Sequence, residues 1–188
     1  MSKVMWGFTC SIDGFIAGVG HDMSWMSAAE PLAEGTIEKM AGQVAVIISG
    51  RSGYDAAKAQ HGQRDETTSQ AYGGAWSGAE FILTHRPEEI ADDPTIVAMN
   101  CDVEEAIDRA KKIAGNRDVQ IISADIARQA LERDLIDELQ VFVAPVFLGD
   151  GTRIFDVSGG RRVEWELVEI FEDSPRSFGR VYRPKGIH

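Results

Sequence analysis

Apolar residues in this chain fall into short unbroken runs, separated by stretches where they recur every three or four positions. Runs of the first kind predict buried strands at 3–9, 44–49, 79–84, 95–99 and 119–122. The second kind predicts helices. Residues 28–41 form the first, with Leu32, Ile37 and Met40 as its apolar contacts, and 51–59 form a short second one. The clearest helix is 102–114: Asp102 caps it with Glu105 three positions on, Val103, Ala106, Ile107 and Ala110 recur at helical spacing, and Gly115-Asn116 ends it. Residues 125–133 supply a fourth helix. A long apolar strand, 138–148, is interrupted by Pro145. Residues 164–171 then alternate (Trp165, Leu167, Val168, Ile170), and 177–182 close the chain as a further antiparallel strand. Between the second helix and the third strand lies a long polar stretch, 60–78, with Tyr72 and Trp76 set among Gly, Ser and Thr. A loop of that length is functional, disordered or an interface element. Strand–helix units followed by a C-terminal hairpin predict one α/β sheet with an antiparallel edge, in a single domain spanning 1–188 with no repeat and no linker.

Composition narrows the partners. The 188 residues are 44% hydrophobic and 26% charged, as in ordinary globular domains, so one buried core is expected. The formal charge of −11 argues against nucleic acid or an anionic membrane as main partner, since both require a basic footprint. Cys10 and Cys101 are too few and too unpatterned for a disulfide framework or a metal site, and two buried thiols fit a reducing cytoplasm. The first six residues lack the apolar core of a signal peptide, and no run approaches the ~20 residues that span a bilayer.

The segment Ser49-Gly50-Arg51-Ser52-Gly53-Tyr54-Asp55 carries the most chemical information. A buried strand stops there and a helix begins at once, so free backbone N–H groups, the positive end of a helix dipole and one cation converge, an arrangement suited to phosphate. The other reading is a tight turn with a surface arginine. Six further landmarks accompany it in order: Ser11-Ile12-Asp13-Gly14-Phe15-Ile16-Ala17, Asp22 to Trp25, Ile82-Leu83-Thr84-His85-Arg86-Pro87, Ala124-Asp125-Ile126-Ala127-Arg128-Gln129-Ala130-Leu131, Leu135-Ile136-Asp137-Glu138-Leu139, and Ala144-Pro145-Val146-Phe147-Leu148-Gly149-Asp150-Gly151-Thr152-Arg153-Ile154-Phe155. Together they resemble the dihydrofolate-reductase-like family that includes the C-terminal reductase domain of bacterial riboflavin biosynthesis, above all its small stand-alone bacterial members. The resemblance spans about 3–182.

The resemblance implies a mixed, mainly parallel eight-stranded sheet with flanking helices, an NADPH cofactor, and a homodimer built on strand 141–146 or on the 60–78 loop. It implies that Gly50, Arg51 and Ser52 receive the cofactor's phosphates and that Thr84, His85 and Arg86 border the adenosine ribose. There Arg86 would fork onto a 2′-phosphate, or else stand as a solvated loop arginine. Ile16 and Ala17 match positions against the nicotinamide, although core packing explains Ile16 equally. Asp13 is read as the structural cap of a turn, and Cys10 as a packed thiol. Trp25 is expected to form a pocket wall, and Trp6 to flank the same cleft. Glu30, five residues after Trp25, is the positional match for the acid that supplies a proton, with Glu34 one helical turn away as the other choice. A first-turn glutamate favoured by the helix dipole is the alternative.

The chain departs from the family pattern at one place. A Gly-Gly pair usual before the fourth helix is replaced by Ile122-Ser123, ahead of Ala124 and Asp125. Either the Ser123 hydroxyl serves the pyrophosphate, or the site is impaired by side chains where glycine is usual. The expected activity is an NADPH-dependent reduction of a small heterocycle or imine of pterin or pyrimidine type. The rival is a non-catalytic nucleotide-binding or interaction protein that keeps the fold. A folate reductase is disfavoured because Val141-Phe142-Val143-Ala144-Pro145 lacks the threonine that supports the acid. The riboflavin-pathway enzyme itself is disfavoured because these residues contain no deaminase Cys/His zinc motif.

Overall fold

A computed structural model describes residues 2–29, 34–61, 71–90, 92–171 and 178–185. Strand β1 (Val4–Cys10) runs into a short β2 (Phe15–Ala17), and after two 3-10 turns comes helix α1 (Thr36–Gln43). There follow β3 (Val44–Gly50), α2 (Arg51–His61), β4 (Ala79–Leu83), β5 (Ile96–Met99), α3 (Val103–Ala114), β6 (Asp118–Ile121) and α4 (Ala124–Glu132). The chain ends with β7 (Glu138–Val143), a two-residue β8 (Thr152–Arg153), β9 (Trp165–Phe171) and β10 (Phe178–Pro184).

Eight strands form one sheet in the order β5-β4-β3-β6-β1-β7-β10-β9. The six from β5 to β7 are parallel, and β10 and β9 are antiparallel. This is the mixed, mainly parallel sheet with a C-terminal hairpin that the pattern of the chain predicts. The central strands read as unbroken apolar runs because both faces are covered. Val46 and Ile48 of β3 join Val4, Trp6, Val119 and Ile121 in the larger core under α3 and α4. Ile47, between them, joins Met5, Ala41, Val44 and Trp76 in a smaller core on the other face. Asp102 caps α3 as its sequence predicts, its side chain accepting a hydrogen bond from the Glu105 N–H at 2.8 Å. No helix among the described residues is long and apolar enough to cross a membrane.

Two elements differ from their sequence-based expectation, and a third is described only in part. Residues 28–41 are not one helix: Ala28 closes a 3-10 turn, Ser24–Ala28, and α1 starts only at Thr36, after Gly35 with φ 81°. A left-handed residue cannot continue a helix, so Glu34 stands outside α1 and exposed. Leu32 and Glu30 lie outside the described residues. The strand expected over 138–148 stops at Val143. There the Ala144 N–H reaches the Cys10 carbonyl at 2.8 Å, and Pro145 has no N–H to extend the ladder. Because β7 lies between β1 and β10, it offers no free edge to a second subunit.

The third is the stretch 60–78. Helix α2 reaches His61, residues 62–70 lie outside the described set, and Ala71–Gly74 make a 3-10 turn. Trp76 is part of the smaller core, with its Nε1–H donating to the Val44 carbonyl at 3.0 Å. Gly78 must be glycine, since a Cβ would come within 2.4 Å of the Ala45 carbonyl oxygen.

Candidate active site

The chain reverses twice at the C-terminal end of the parallel strands. β3 ends at Gly50 and α2 begins at Arg51. β6 ends at Ile121 and α4 begins at Ala124, with Ser123 as its N-cap. Since β3 and β6 are neighbours in register, the N-termini of an eleven-residue and a nine-residue helix open side by side. Their free N–H groups and dipoles make a positive floor without a lysine or arginine on it. Contact between the two turns is close: a Cβ at Gly50 would lie 3.1 Å from Ser123 Oγ. The Ser123 side chain makes no capping hydrogen bond.

Gly50, Ser52, Ser123 and Ala124 of this floor line a cleft of about 520 Å3. Gly7, Phe8 and Thr9 of β1 and Ile16 and Ala17 of β2 line it as well. Of the residues singled out from sequence, Ile16, Ala17, Gly50, Ser52, Ser123, Ala124 and Asp125 border this cleft. β2 is held there by β8, and at Gly151 (φ 137°) an added Cβ would fall 2.0 Å from the Ala17 carbonyl oxygen. Only glycine permits that approach.

Ile122 and Ser123, in place of the glycine pair, adopt no left-handed backbone; among the described residues, the non-glycine ones with positive φ are His21, Tyr72 and Asp134. Ile122 is held by its N–H to the Ile48 carbonyl at 3.1 Å. The conformational objection to side chains at these positions therefore does not arise in this backbone. What remains is bulk, since Ile122 is 46% exposed and borders the cleft.

Arg51, Thr84, His85 and Arg86 are not on the cleft wall. Arg51 turns from it: its Nε donates to both Asp55 carboxylate oxygens at 2.8 Å, and Nη2 meets Glu89 Oε2 at 2.9 Å. Arg86 reaches the other oxygen of Glu89 at 3.0 Å, and its backbone N–H donates to Thr84 Oγ1 at 3.1 Å. His85 is exposed. Asp125 is spoken for as well, accepting from Arg128 at 2.7 Å and Gln129 at 2.8 Å; the Arg128 bond leads the effects that hold its pKa below the ordinary value.

The tryptophans differ from expectation. Trp25 is buried, and Trp6 sits in the larger core, 2% exposed; neither lines the cleft. A tryptophan's large apolar surface favours burial over a pocket rim wherever the fold provides a core. Cys10 is a packed thiol, its pKa pushed up to about 11 by burial, and so stays protonated. Asp13 is structural. Its carboxylate accepts from the Ser11 hydroxyl at 2.6 Å and from the Leu148 and Gly149 N–H groups at 3.1 and 2.7 Å.

Two cleft groups escape the sequence reading. Ser49, 3% exposed, donates its hydroxyl to Glu80 Oε1 at 2.7 Å, and both line the cleft. The available signal was a glutamate inside an otherwise apolar strand run, 79–84, since a polar group on a covered sheet face needs a partner or a task. Close by, Gln120 accepts a hydrogen bond from the Tyr72 hydroxyl, and its amide lies where a side chain on Gly7 would fall.

Known proteins share this architecture. No curated protein matches the chain at a significant level. Among solved structures it is similar to a protein named for riboflavin biosynthesis from Shewanella sp. PV-4 (TM-score 0.76, 17% identity, covering 98% of this chain and 99% of that one). It is also similar to a diaminohydroxyphosphoribosylaminopyrimidine deaminase/5-amino-6-(5-phosphoribosylamino)uracil reductase from Thermotoga maritima (TM-score 0.66, 14% identity, covering 97% of this chain and 56% of that one). This chain thus spans just over half the length of that two-activity protein. A third is dihydrofolate reductase from Enterococcus faecalis complexed with NADP(H) and RAB-propyl (TM-score 0.62, 12% identity, covering 98% and 97%). At these identities the likeness establishes the fold, a reductase-type α/β sheet. Residues 2–177 match the model of the RibD C-terminal domain, and the chain belongs to that family.

Proposed function

We propose that the protein is an NADPH-dependent reductase acting on a small heterocycle or imine of pterin or pyrimidine type. The observation that carries this reading is the pair of helix N-termini meeting over Gly50 and Ser123 at the floor of a cleft walled by β1 and β2. Membership of the family and the reductase named in the Thermotoga relative support it, as does the NADP(H) bound by the similar dihydrofolate reductase.

The residues present fit a dinucleotide. Gly50 leaves the space that a Cβ would fill, the Ser123 hydroxyl is not spent on capping its helix, and Arg51 Nη1 is buried with no hydrogen-bond partner. Gly50, Ser52, Ser123 and Ala124 would hold the pyrophosphate through backbone N–H groups and hydroxyls. Asp125 would stay paired to Arg128. Thr84, His85, Arg86 and Arg51 would border the adenosine end. Ile16 and Ala17 would fix the nicotinamide plane and exclude water from it. When bound, the cofactor supplies the hydride; the protein orients the rings and manages a proton. Glu30 keeps its role as proton donor on positional grounds alone, because it lies outside the described residues. We also propose that the molecule works as a homodimer in the bacterial cytoplasm, with the apolar β9 edge as its contact.

Titration with NADPH, followed through the emission of its nicotinamide, tests the reading directly. Saturable binding and NADPH consumption with a pterin or aminopyrimidine is the expected result. No binding at millimolar NADPH refutes it, and binding without turnover across such a panel favours the non-catalytic rival.

A further inference from the structure

Beside the cleft, two cations share one carboxylate. Glu89 Oε2 lies 2.9 Å from Arg51 Nη2, and Glu89 Oε1 lies 3.0 Å from Arg86 Nη1. The arginines come from different elements. Arg51 opens α2, next to the cleft residues Gly50 and Ser52, while Arg86 and Glu89 bracket the 3-10 turn Pro87–Glu89 that follows β4. Two hydrogen bonds hold that turn: the Glu89 N–H donates to the Arg86 carbonyl at 3.2 Å, and the Arg86 N–H donates to Thr84 Oγ1 at 3.1 Å. Asp55 grips the Nε side of Arg51. Among the described residues, Arg51 Nη1 nevertheless remains a buried donor with no acceptor.

An anion bridging two guanidinium groups is the pattern of phosphomonoester recognition, since each planar fork offers paired donors to tetrahedral oxygens. Here the bridging anion belongs to the protein. A carboxylate has two oxygens and both are used, which leaves the third arginine nitrogen unserved; a phosphomonoester has three terminal oxygens. Glu89 is also replaceable. Its side chain is 39% exposed and that of Arg86 is 64% exposed, and ion pairs so open to water are weak and exchange readily.

We propose that Glu89 is an internal stand-in for a phosphomonoester. It occupies the Arg51–Arg86 pair until a 2′-phosphorylated nucleotide displaces it, and so sets how strongly the protein prefers that nucleotide over its unphosphorylated counterpart. The inference rests on the nucleotide reading of the adjacent cleft. With Glu89 and Asp55 ionised, the four-residue cluster is neutral and gives an incoming phosphate little net attraction. Glu89→Gln leaves it with one net positive charge and an unoccupied fork.

The test uses two probes without nicotinamide, 2′,5′-ADP and 5′-AMP, titrated calorimetrically into the full chain and into Glu89→Gln. The expected result is about tenfold tighter binding of 2′,5′-ADP by Glu89→Gln, the scale of one charge-assisted hydrogen bond, with 5′-AMP unchanged. Arg86→Ala should weaken 2′,5′-ADP and leave 5′-AMP alone. Unchanged or weaker 2′,5′-ADP binding by Glu89→Gln, or an equal gain for both probes, overturns the proposal. NADPH titration of the wild-type chain answers the separate question of cofactor use. A chain that fails to bind NADPH yet shows the selective gain loses the reductase reading and keeps this one.

Discussion

Asp13 ties the turn between β1 and β2 to residues 148 and 149, and its charge is what holds them. The Ser11 hydroxyl, then the Gly149 and Leu148 N–H groups, lower its pKa from the ordinary 3.8 to about 2. A carboxylate whose pKa is lower folded than unfolded stabilises the native state at neutral pH, and that contribution fades as pH falls from about 4 towards 2. Asp13→Asn should therefore melt below the wild type at pH 7, with the two melting temperatures converging towards pH 2. A gap of equal size at both pH values would mean that shape, not charge, does the holding. Asp13 was legible from its place before Gly14 in a turn, but its partners were not, because they lie 135 and 136 positions away. Ser123 illustrates the converse. Its identity signals a departure from a glycine pair, yet only its φ of −102° shows that no left-handed backbone is needed there.

At the scale of elements, local signals worked where they were dense. α3 carries its own cap, periodicity and terminating glycine, and forms as read. Residues 28–41 have helical spacing, but Gly35 takes a left-handed conformation and delays α1 to Thr36. In the polar stretch 60–78, the described end is placed by a single large side chain. Trp76 is 5% exposed between Met5, Ala41, Val44 and Ile47. Trp76→Ala should cost about 3–5 kcal/mol in urea unfolding, as expected for emptying a buried aromatic site. Trp76→Phe keeps most of the packing and loses the bond to the Val44 carbonyl, so its cost should be nearer 1 kcal/mol. A near-neutral Trp76→Ala would mean that this packing does not anchor the chain at 71–78.

For the whole molecule, the sheet order decides which apolar strand is in need of a cover. The run 141–146 reads as an exposed liability, but β7 is internal; the sheet's edge strands are β5 and β9, and β9 is the longer, with seven residues against four. There Leu167, Val168 and Ile170 are 45%, 41% and 48% exposed, beside a bulge at the Val181/Tyr182 step of β10. Exposed apolar residues on an unpaired edge invite pairing. The proposed homodimer therefore predicts that Ile170→Glu shifts sedimentation from dimer to monomer while leaving the circular dichroism unchanged. A wild-type chain that sediments as a monomer at micromolar concentration removes the proposal.

What the sequence determined by itself is whatever a few neighbouring residues can encode. The strand and helix periods, the cap at Asp102 and the abrupt turn at Gly50-Arg51 are all of this kind, since backbone sterics and local hydrogen bonds act over three or four positions. Only the tertiary structure decided which side of that turn each group would serve. The register of β3 against β6 brings Gly50 to Ser123 and makes the cleft floor. The pairing of β3 with β4 sets Ser49 against Glu80 on the cleft wall. The turn after β4 supplies Glu89, whose carboxylate pairs with Arg51 and keeps it off that wall until a stronger anion takes its place.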